Sequence, residues 1–153
     1  MTVLADRGFS VDVPPGWEGR IFTPGLSPPA ENHPVLHLAD FPLPYERSSY
    51  LETAAALQGR RGGMVCSLVE FGSELADVGL YAPQGVPRIH TRDLDPRAMQ
   101  VPARDQAGVQ RFFSVQGRAF SLYVVASLDL HTAARLRLLN DALASLHVQA
   151  ARR

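Results

Sequence analysis

The chain has 153 residues, of which 46% are hydrophobic and 20% are charged, and its fifteen basic residues balance fifteen acidic ones. This composition is typical of a globular protein, and the zero net charge provides no overall field that would attract nucleic acid or an anionic membrane. Every basic residue is arginine, which excludes a catalytic lysine and the lysine of a phosphate-binding loop. We therefore expect a single domain over residues 1–153 with no nucleic-acid partner.

The cysteine content and the N-terminal sequence indicate a reducing compartment. Cys66 is the only cysteine, which excludes an internal disulfide and a zinc site built from several cysteines. Residues 1–17 contain no basic stretch followed by an apolar one, as a signal peptide would require. No window approaches the ~18 apolar residues that a membrane-spanning helix needs. We therefore expect a cytoplasmic protein that does not insert into a membrane.

The first half of the chain predicts short strands separated by proline-rich turns. Alternating apolar and polar residues, or short apolar runs, predict four strands, over residues 9–13, 17–22, 34–43 and 64–71. The first of these strands ends at Pro14-Pro15-Gly16, a sequence typical of a turn.

A short helix is predicted between the third and fourth strands. Ser49 and Glu52 have the spacing of a capping box, which predicts a helix over residues 49–58. The region 72–106 is interrupted by several prolines and shows no clear period. For that region we predict only irregular strands, near residues 88–91 and 100–101.

The clearest pattern lies near the C-terminus. Two β-rich runs over residues 109–116 and 119–127 are separated by Gly117-Arg118, which predicts a hairpin with a type II′ turn. Residues 119–127 are apolar on both faces, so we expect this strand at the centre of a sheet that is covered on both sides.

A helix follows the hairpin, over residues 131–146, with Asp129 or Thr132 as its N-cap. Its apolar stripe comprises Leu136, Leu139, Leu143 and Leu146. The short segment after the helix, beginning at His147, predicts an edge strand. Because hairpins outnumber strand–helix alternations, the sequence predicts an α+β fold with a mainly antiparallel sheet and helices packed on its faces.

Histidine and cysteine are the first candidates for chemistry. His33 and His37 have the i, i+4 spacing of two metal ligands on a helix, but Pro34 and the alternation that follows predict an extended segment. In a strand, four residues separate the rings by roughly 13 Å, which is too far for one ion to bind both. Cys66 lies inside a predicted apolar strand, where a small buried side chain is expected rather than a nucleophile.

The remaining candidates have structural interpretations that compete with the functional ones. The motif GRRGG at residues 59–63 has backbone amides and two arginines for an anion, but a helix C-cap and turn explain the same glycines. Asp93 and Asp95 have the spacing of a solvated turn rather than of a catalytic pair. Aromatic and arginine residues gather on the hairpin as a stacking platform would, although the apolar composition favours core packing; they are Arg111, Phe112, Phe113, Arg118, Phe120 and Tyr123. We predict no catalytic, cofactor-binding or metal-binding residue.

Three segments resemble the PsbP-like superfamily: FSVDVPPGW (9–17), VCSLVEFG (65–72) and RFFSVQGRAFSLYVVAS with the closing LNDALASLHV (111–127 and 139–148). This superfamily includes photosystem extrinsic subunits, a eukaryotic Ran-binding factor and many small bacterial proteins. The resemblance implies an α/β/α sandwich and a binding or assembly role without catalysis. A similar group of cytoplasmic secretion chaperones, often dimeric, makes a homodimer compatible with this resemblance.

Taken together, the residues and the resemblance predict a non-enzymatic adaptor or chaperone-like protein that binds a protein partner. We expect its interaction surface near Trp17, Phe22, Arg60 and Arg61. Two alternatives stay open: a structural component of a larger bacterial assembly, and a small enzyme or ligand-binding domain that uses Cys66 or the histidines.

Overall fold

The computed structural model describes residues 2–24, 33–43, 62–99 and 103–151. These residues form eight strands: β1 (Thr2–Asp6), β2 (Phe9–Val13), β3 (Glu18–Phe22), β4 (Val35–Ala39), β5 (Met64–Gly72), β6 (Gln106–Val115), β7 (Arg118–Ser127) and β8 (His147–Val148). One α-helix, α1 (Thr132–Ala144), lies between β7 and β8 in this part of the chain. Three short 3-10 turns lie between β5 and β6, at Gly79–Tyr81, Thr91–Asp93 and Pro96–Ala98.

The strands form two sheets. The large sheet has the order β3-β4-β5-β7-β6, and the small sheet has the order β1-β2-β8. All pairs between these strands are antiparallel. The strands expected from the sequence at residues 9–13, 17–22, 34–43 and 64–71 are confirmed, some with shorter bounds, whereas β1 had not been predicted.

The expected α+β class and its α/β/α sandwich are wrong. The described residues hold eight strands and a single α-helix, so the fold is mainly β. The helix shares its side of the large sheet with the small sheet, because Phe9 and Val11 of β2 lie in the same core as the leucines of α1. The helix predicted over residues 49–58 lies outside the described residues. Within them, no helix is both long and apolar enough to cross a membrane.

The main core lies between the large sheet, the small sheet and α1. The large sheet contributes alternate residues of β4, β5 and β7, which are Leu36, Leu38, Met64, Cys66, Leu68, Phe120, Leu122 and Val124. The opposite face of the same strands carries a second cluster, formed by Ala39, Phe41, Val65, Met99, Tyr123 and Val125. All ten residues of β7 are buried, which confirms the prediction of a central strand covered on both sides.

The hairpin β6–β7 forms as predicted, but with a different turn. Val115 pairs with Arg118, so the loop residues are Gln116 and Gly117. Both have positive φ angles, 53° and 73°, which identifies a type I′ turn. The predicted type II′ turn is wrong because glycine occupies the second position of the loop and Gln116 adopts the left-handed conformation before it.

Asp129 organises the start of α1 from outside the helix. Its Oδ1 accepts a hydrogen bond from the backbone N–H of His131 at 2.7 Å, and its own N–H donates to Oγ1 of Thr132 at 2.9 Å. Arg135 donates to Asp129 and forms an ion pair with Asp40, both at 2.9 Å. The hydrogen bonds from Arg135 and His131 hold the pKa of Asp129 below its usual range. The N-cap position itself is His131, so the prediction of Asp129 or Thr132 as the N-cap is wrong: Asp129 lies before the helix and Thr132 is its first residue.

The irregular region between β5 and β6 is attached to α1 by one asparagine. Ile89 is buried, its N–H donates to Oδ1 of Asn140 at 2.9 Å, and Nδ2 of Asn140 donates back to the Ile89 carbonyl at 2.7 Å. The side-chain amide thus pairs with this residue as a neighbouring strand would. The chain forms no strand at residues 88–91, so that prediction is wrong, and the strand predicted near residues 100–101 lies outside the described residues.

We expect truncation of Leu139 to destabilise the protein far more than truncation of its neighbour Leu138. Leu139 is fully buried, whereas Leu138 is 40% exposed on the same helix. Leu139→Ala should lower the free energy of unfolding by about 2–5 kcal/mol, because it removes buried methyl groups and leaves a cavity. Leu138→Ala should change it by about 0.5 kcal/mol or less. Urea unfolding of both variants measures the difference, and equal losses would contradict the position of α1.

Candidate functional site

The predicted interaction residues Trp17 and Phe22 both lie in the interior. Trp17 belongs to the main core, and Phe22 packs with Val35 and Val69. The ring of Phe22 also contacts the ring of His37 edge-on, with centroids 5.0 Å apart. Neither aromatic side chain therefore contributes an exposed surface. Arg60 and Arg61 lie outside the described residues.

The two candidate histidines have different surroundings. His37 lies on β4 and is buried, whereas His33 precedes that strand and its side chain is partly exposed. Nδ1 of His33 lies 3.8 Å from Oε2 of Glu70. Among the described residues, no group of three or more His, Cys, Asp or Glu side chains is placed to hold a metal ion.

Cys66 is not placed as a nucleophile. It lies in the middle of β5, opposite Leu38 and Val124, and it is fully buried. Burial raises the pKa of its thiol well above the usual range, because desolvation disfavours the thiolate.

Asp93 and Asp95 have structural partners. Oδ2 of Asp93 accepts a hydrogen bond from the N–H of His90, and Oδ1 of Asp95 accepts one from the N–H of Arg97, both at 2.8 Å. Each carboxylate thus caps a 3-10 turn. Their positions agree with the interpretation of Asp93 and Asp95 as turn residues rather than as a catalytic pair.

The aromatic residues of the hairpin pack mostly inside the protein. The rings of Phe113 and Phe120 are stacked with centroids 5.8 Å apart, and both are buried. Tyr123 is buried on the opposite face of β7, and only Phe112 is partly exposed. The hairpin therefore offers no extended stacking platform of aromatic rings.

A row of polar residues crosses the large sheet. Strand pairing places residues of all five strands opposite one another, in the order Arg20, His37, Ser67, Tyr123 and Gln110. Serine beside histidine has the residue types of a nucleophile and its base. However, Ser67 is buried. This arrangement does not provide an accessible nucleophile.

The largest group of exposed apolar side chains in the described part of the chain lies directly after β5. We name residues 71–81, from the end of β5 to the first 3-10 turn, the apolar loop. It holds four of the eight exposed large hydrophobic residues, each between 36% and 60% exposed: Phe71, Leu75, Val78 and Leu80. It also carries two carboxylates, Glu74 and Asp77, and no basic residue. The sequence analysis missed this surface because these residues show no period.

The backbone of the apolar loop is fixed by one buried serine of β6. Oγ of Ser114 accepts a hydrogen bond from the N–H of Asp77 at 2.9 Å and donates to the carbonyl of Tyr81 at 2.7 Å. The backbone of Ser114 continues the attachment, because its N–H donates to the Pro83 carbonyl and its carbonyl accepts from the N–H of Gly85. The exposed side chains of the loop are therefore carried on an ordered backbone.

Aromatic contacts connect the loop to the sheet. The ring of Tyr81 lies 6.0 Å from that of Phe71 and 5.7 Å, edge-on, from that of Phe112. Partial burial raises the pKa of Tyr81 above its ordinary value. Asp77 adopts a positive φ of 67° and accepts a hydrogen bond from Nε2 of Gln84 at 2.6 Å. The loop is thus supported from both ends.

A charged cleft adjoins this loop and shares Gly72 and Ser73 with it. Its centre is an ion pair between Glu70 and Arg118, whose side chains are 7% and 11% exposed. Nε and Nη2 of Arg118 both donate to Oε1 of Glu70, and Nη1 donates to the Gln149 carbonyl at 3.0 Å. The guanidinium also lies over the ring of Phe9, 4.9 Å from its centroid. Ionic and apolar contacts together hold Arg118 in place.

The charged cleft encloses a volume of about 450 Å³. Its wall includes Arg7, His33 and Ser73 in addition to the central ion pair. Its lining therefore combines cationic, anionic and neutral polar groups. Such a cleft is suited to binding a polar ligand.

Comparison of the chain with protein-family models, with curated proteins and with solved structures gave no match. The resemblance to the PsbP-like superfamily therefore stays a prediction.

We expect Cys66 to resist alkylation in the folded protein. Because the thiol is fully buried and its pKa is raised, iodoacetamide near neutral pH should modify it only when the protein unfolds. Mass spectrometry with and without denaturant measures this protection. Fast alkylation of the native protein would contradict it and would support an enzyme that uses this thiol.

We expect Ser114→Ala to loosen the apolar loop. The substitution removes the hydroxyl that accepts from Asp77 and donates to Tyr81, at a cost of about 1–3 kcal/mol in the free energy of unfolding. Hydrogen exchange should become faster for residues 73–85 and stay unchanged in α1. As a matched control, Ser10→Ala changes a half-buried serine of β2 and should leave the exchange of the loop unaltered.

Proposed function

We propose that this chain is a non-enzymatic adaptor that binds a protein partner through the apolar loop. The proposal rests on one observation: the apolar loop combines exposed apolar side chains with an ordered backbone. Half of the exposed large hydrophobic residues that the structure describes lie on this loop, and Ser114 fixes its backbone.

Both properties favour binding. An apolar side chain that stays in water forgoes the favourable free energy of its burial, about 25 cal/mol per Å², so a cluster of such side chains is a frequent mark of an interaction site. An ordered loop also loses little conformational entropy when a partner binds, because its backbone is already fixed in the free protein.

The charge of the loop indicates the chemistry of the partner. Glu74 and Asp77 lie among Leu75, Val78 and Leu80, and neither carboxylate forms an ion pair with another residue that the structure describes. A complementary surface would be apolar with basic residues at its edge. We therefore infer a partner protein with lysine or arginine beside an apolar patch.

The alternative of a small enzyme receives less support. Cys66 is buried with a raised pKa, and Ser67, the serine beside His37 in the large sheet, is buried as well. A structural component would differ from an adaptor because its complex with other proteins would be permanent. Light scattering on the complex across a dilution series distinguishes a permanent assembly from a reversible one.

The test compares two double variants, each of which replaces two exposed leucines by serine. Leu75→Ser with Leu80→Ser removes apolar side chains from the loop, and Leu130→Ser with Leu138→Ser removes exposed leucines elsewhere. Affinity capture from the native host, followed by titration of the purified partner, should show at least about tenfold weaker binding for the loop variant. The control variant should bind as the wild type does.

The charge prediction has its own measurement. Glu74→Gln should slow association with the partner at low salt and weaken the dependence of the association rate on ionic strength, because it removes one carboxylate from the loop.

For the pair of double variants, equal affinity for the partner would contradict the proposal that the apolar loop is the binding surface. A partner whose contact region is acidic would contradict the inferred chemistry.

A further inference from the structure

The small sheet has an open edge on the side of β1 that faces away from β2. β1 pairs with β2 in a continuous antiparallel register over all five of its residues, and no other strand among the described residues pairs with it. Four of the five residues of β1 are exposed, so solvent reaches this edge. An exposed edge of this kind presents backbone donors and acceptors that another strand can bind.

The pairing with β2 identifies the backbone groups that lie on this edge. The N–H of Asp12 donates to Oγ of Ser145 at 2.9 Å, so the backbone of Asp12 is directed away from β1. Val3 lies opposite Asp12 in the register. Because antiparallel partners alternate between pairs that exchange hydrogen bonds and pairs that do not, Val3 and, two residues later, Ala5 make no hydrogen bonds to β2. Their N–H and C=O groups therefore point outward, and no backbone hydrogen bond from elsewhere in the described chain reaches them.

β1 lacks the features that usually prevent the addition of a strand at an edge. Residues 2–5 are uncharged and include neither proline nor glycine, and the pairing with β2 contains no bulge. The side chain of Val3 is 65% exposed, which adds an apolar contact to the available backbone groups. The edge of β6 differs, because other parts of the chain form bridges to it. The edge of β1 is therefore suited to a strand of another molecule.

The strand that matches this edge is β1 of a second copy of the chain. We propose that two copies form a symmetric dimer in which their β1 strands pair antiparallel, with the two-fold axis at Leu4. In this register Val3 of one copy and Ala5 of the other exchange hydrogen bonds in both directions, and the symmetry repeats the exchange. The interface thus gains four backbone hydrogen bonds, and the two small sheets become one continuous sheet of six strands.

The side chains of β1 agree with this register. Thr2 lies opposite Asp6 of the second copy, where its hydroxyl can donate to the carboxylate, and Val3 lies opposite Ala5. Leu4, which packs against the main core, meets Leu4 of the second copy. A shift by two residues in either direction leaves two residues of β1 outside the pairing. This self-complementarity is what a two-fold interface requires. Because β1 is separate from the apolar loop, the inference does not depend on the proposed protein partner.

Association is measured by analytical ultracentrifugation over a concentration series. A contact through one short strand belongs to the weak, reversible class, so we expect a dissociation constant on the order of 10–100 μM. Hydrogen exchange of the Val3 and Ala5 amides should be slower above this concentration than below it. In a mixture of isotope-labelled and unlabelled protein, an intermolecular NOE between the α-protons of Leu4 locates the two-fold axis. A monomer at every concentration up to about 1 mM would overturn the proposal.

Two pairs of variants test the edge and its register. Ala5→Pro removes an outward N–H without breaking a hydrogen bond to β2, and it should weaken dimerisation by at least about tenfold. Ala5→Ser retains the N–H, so this matched control should dimerise as the wild type does. Thr2→Asp should weaken the dimer because it faces Asp6 of the second copy with a like charge. Thr2→Lys should strengthen it, and both charge effects should decrease as salt is added.

Circular dichroism establishes that the variants are folded. A dimer that is unchanged in both Ala5→Pro and Thr2→Asp would overturn the proposal, and so would a chain that stays monomeric while this edge captures a strand of a different protein. The double variant Leu75→Ser with Leu80→Ser should dimerise as the wild type does. Loss of the dimer in that variant would assign the contact to the apolar loop and overturn this inference, so its failure and the failure of the protein-binding proposal are distinguishable.

Discussion

The fold depends on the burial of β7 on both of its faces. All ten residues of this strand are buried, and its neighbours β5 and β6 pair with it along its length. One face places Leu122 and Val124 in the core under α1, and the other places Tyr123 and Val125 in the second cluster. Because the backbone of such a strand has no access to water, its hydrogen bonds to both neighbours must be complete. This requirement determines the register of β5 and β6, and with it the position of every group at the ends of those strands.

The turn between β6 and β7 therefore positions both the apolar loop and the charged cleft. Ser114, before the turn, fixes the apolar loop through its hydroxyl and its backbone. Arg118, directly after the turn, holds Glu70 at the end of β5 and the carbonyl of Gln149 near the C-terminus. The two surfaces have different chemistry, since one is apolar and acidic and the other is lined by charges of both signs. They share one support, so a displacement of this turn would disturb both of them.

The parts of the fold that the sequence predicts are those with local patterns. The strands Phe9–Val13 and Met64–Gly72 and the leucine stripe of α1 follow from periodicity alone. The apolar loop and the charged cleft do not, because their key contacts join distant residues: Ser114 lies 33 residues from Tyr81, and Arg118 lies 48 residues from Glu70. The error in fold class has the same origin. Nothing in the local pattern of β2 indicates that it pairs with β8, more than 130 residues later, and that this small sheet shares the main core with α1.

One edge of the large sheet shows how this chain occupies backbone groups that a partner could otherwise use. The edge strands of this sheet are β3 and β6, and an open edge such as that of β6 is a common place for a partner to add a strand. Here the chain itself forms bridges to both ends of β6, at Gly108 and at Ser114. Between them, Nη1 of Arg111 donates to the carbonyl of Gln110 at 3.0 Å. A partner strand would have to displace these contacts before it gained any of its own. The apolar loop requires no such displacement, because its side chains are already exposed on a fixed backbone, and contact with them leaves every hydrogen bond of β6 intact.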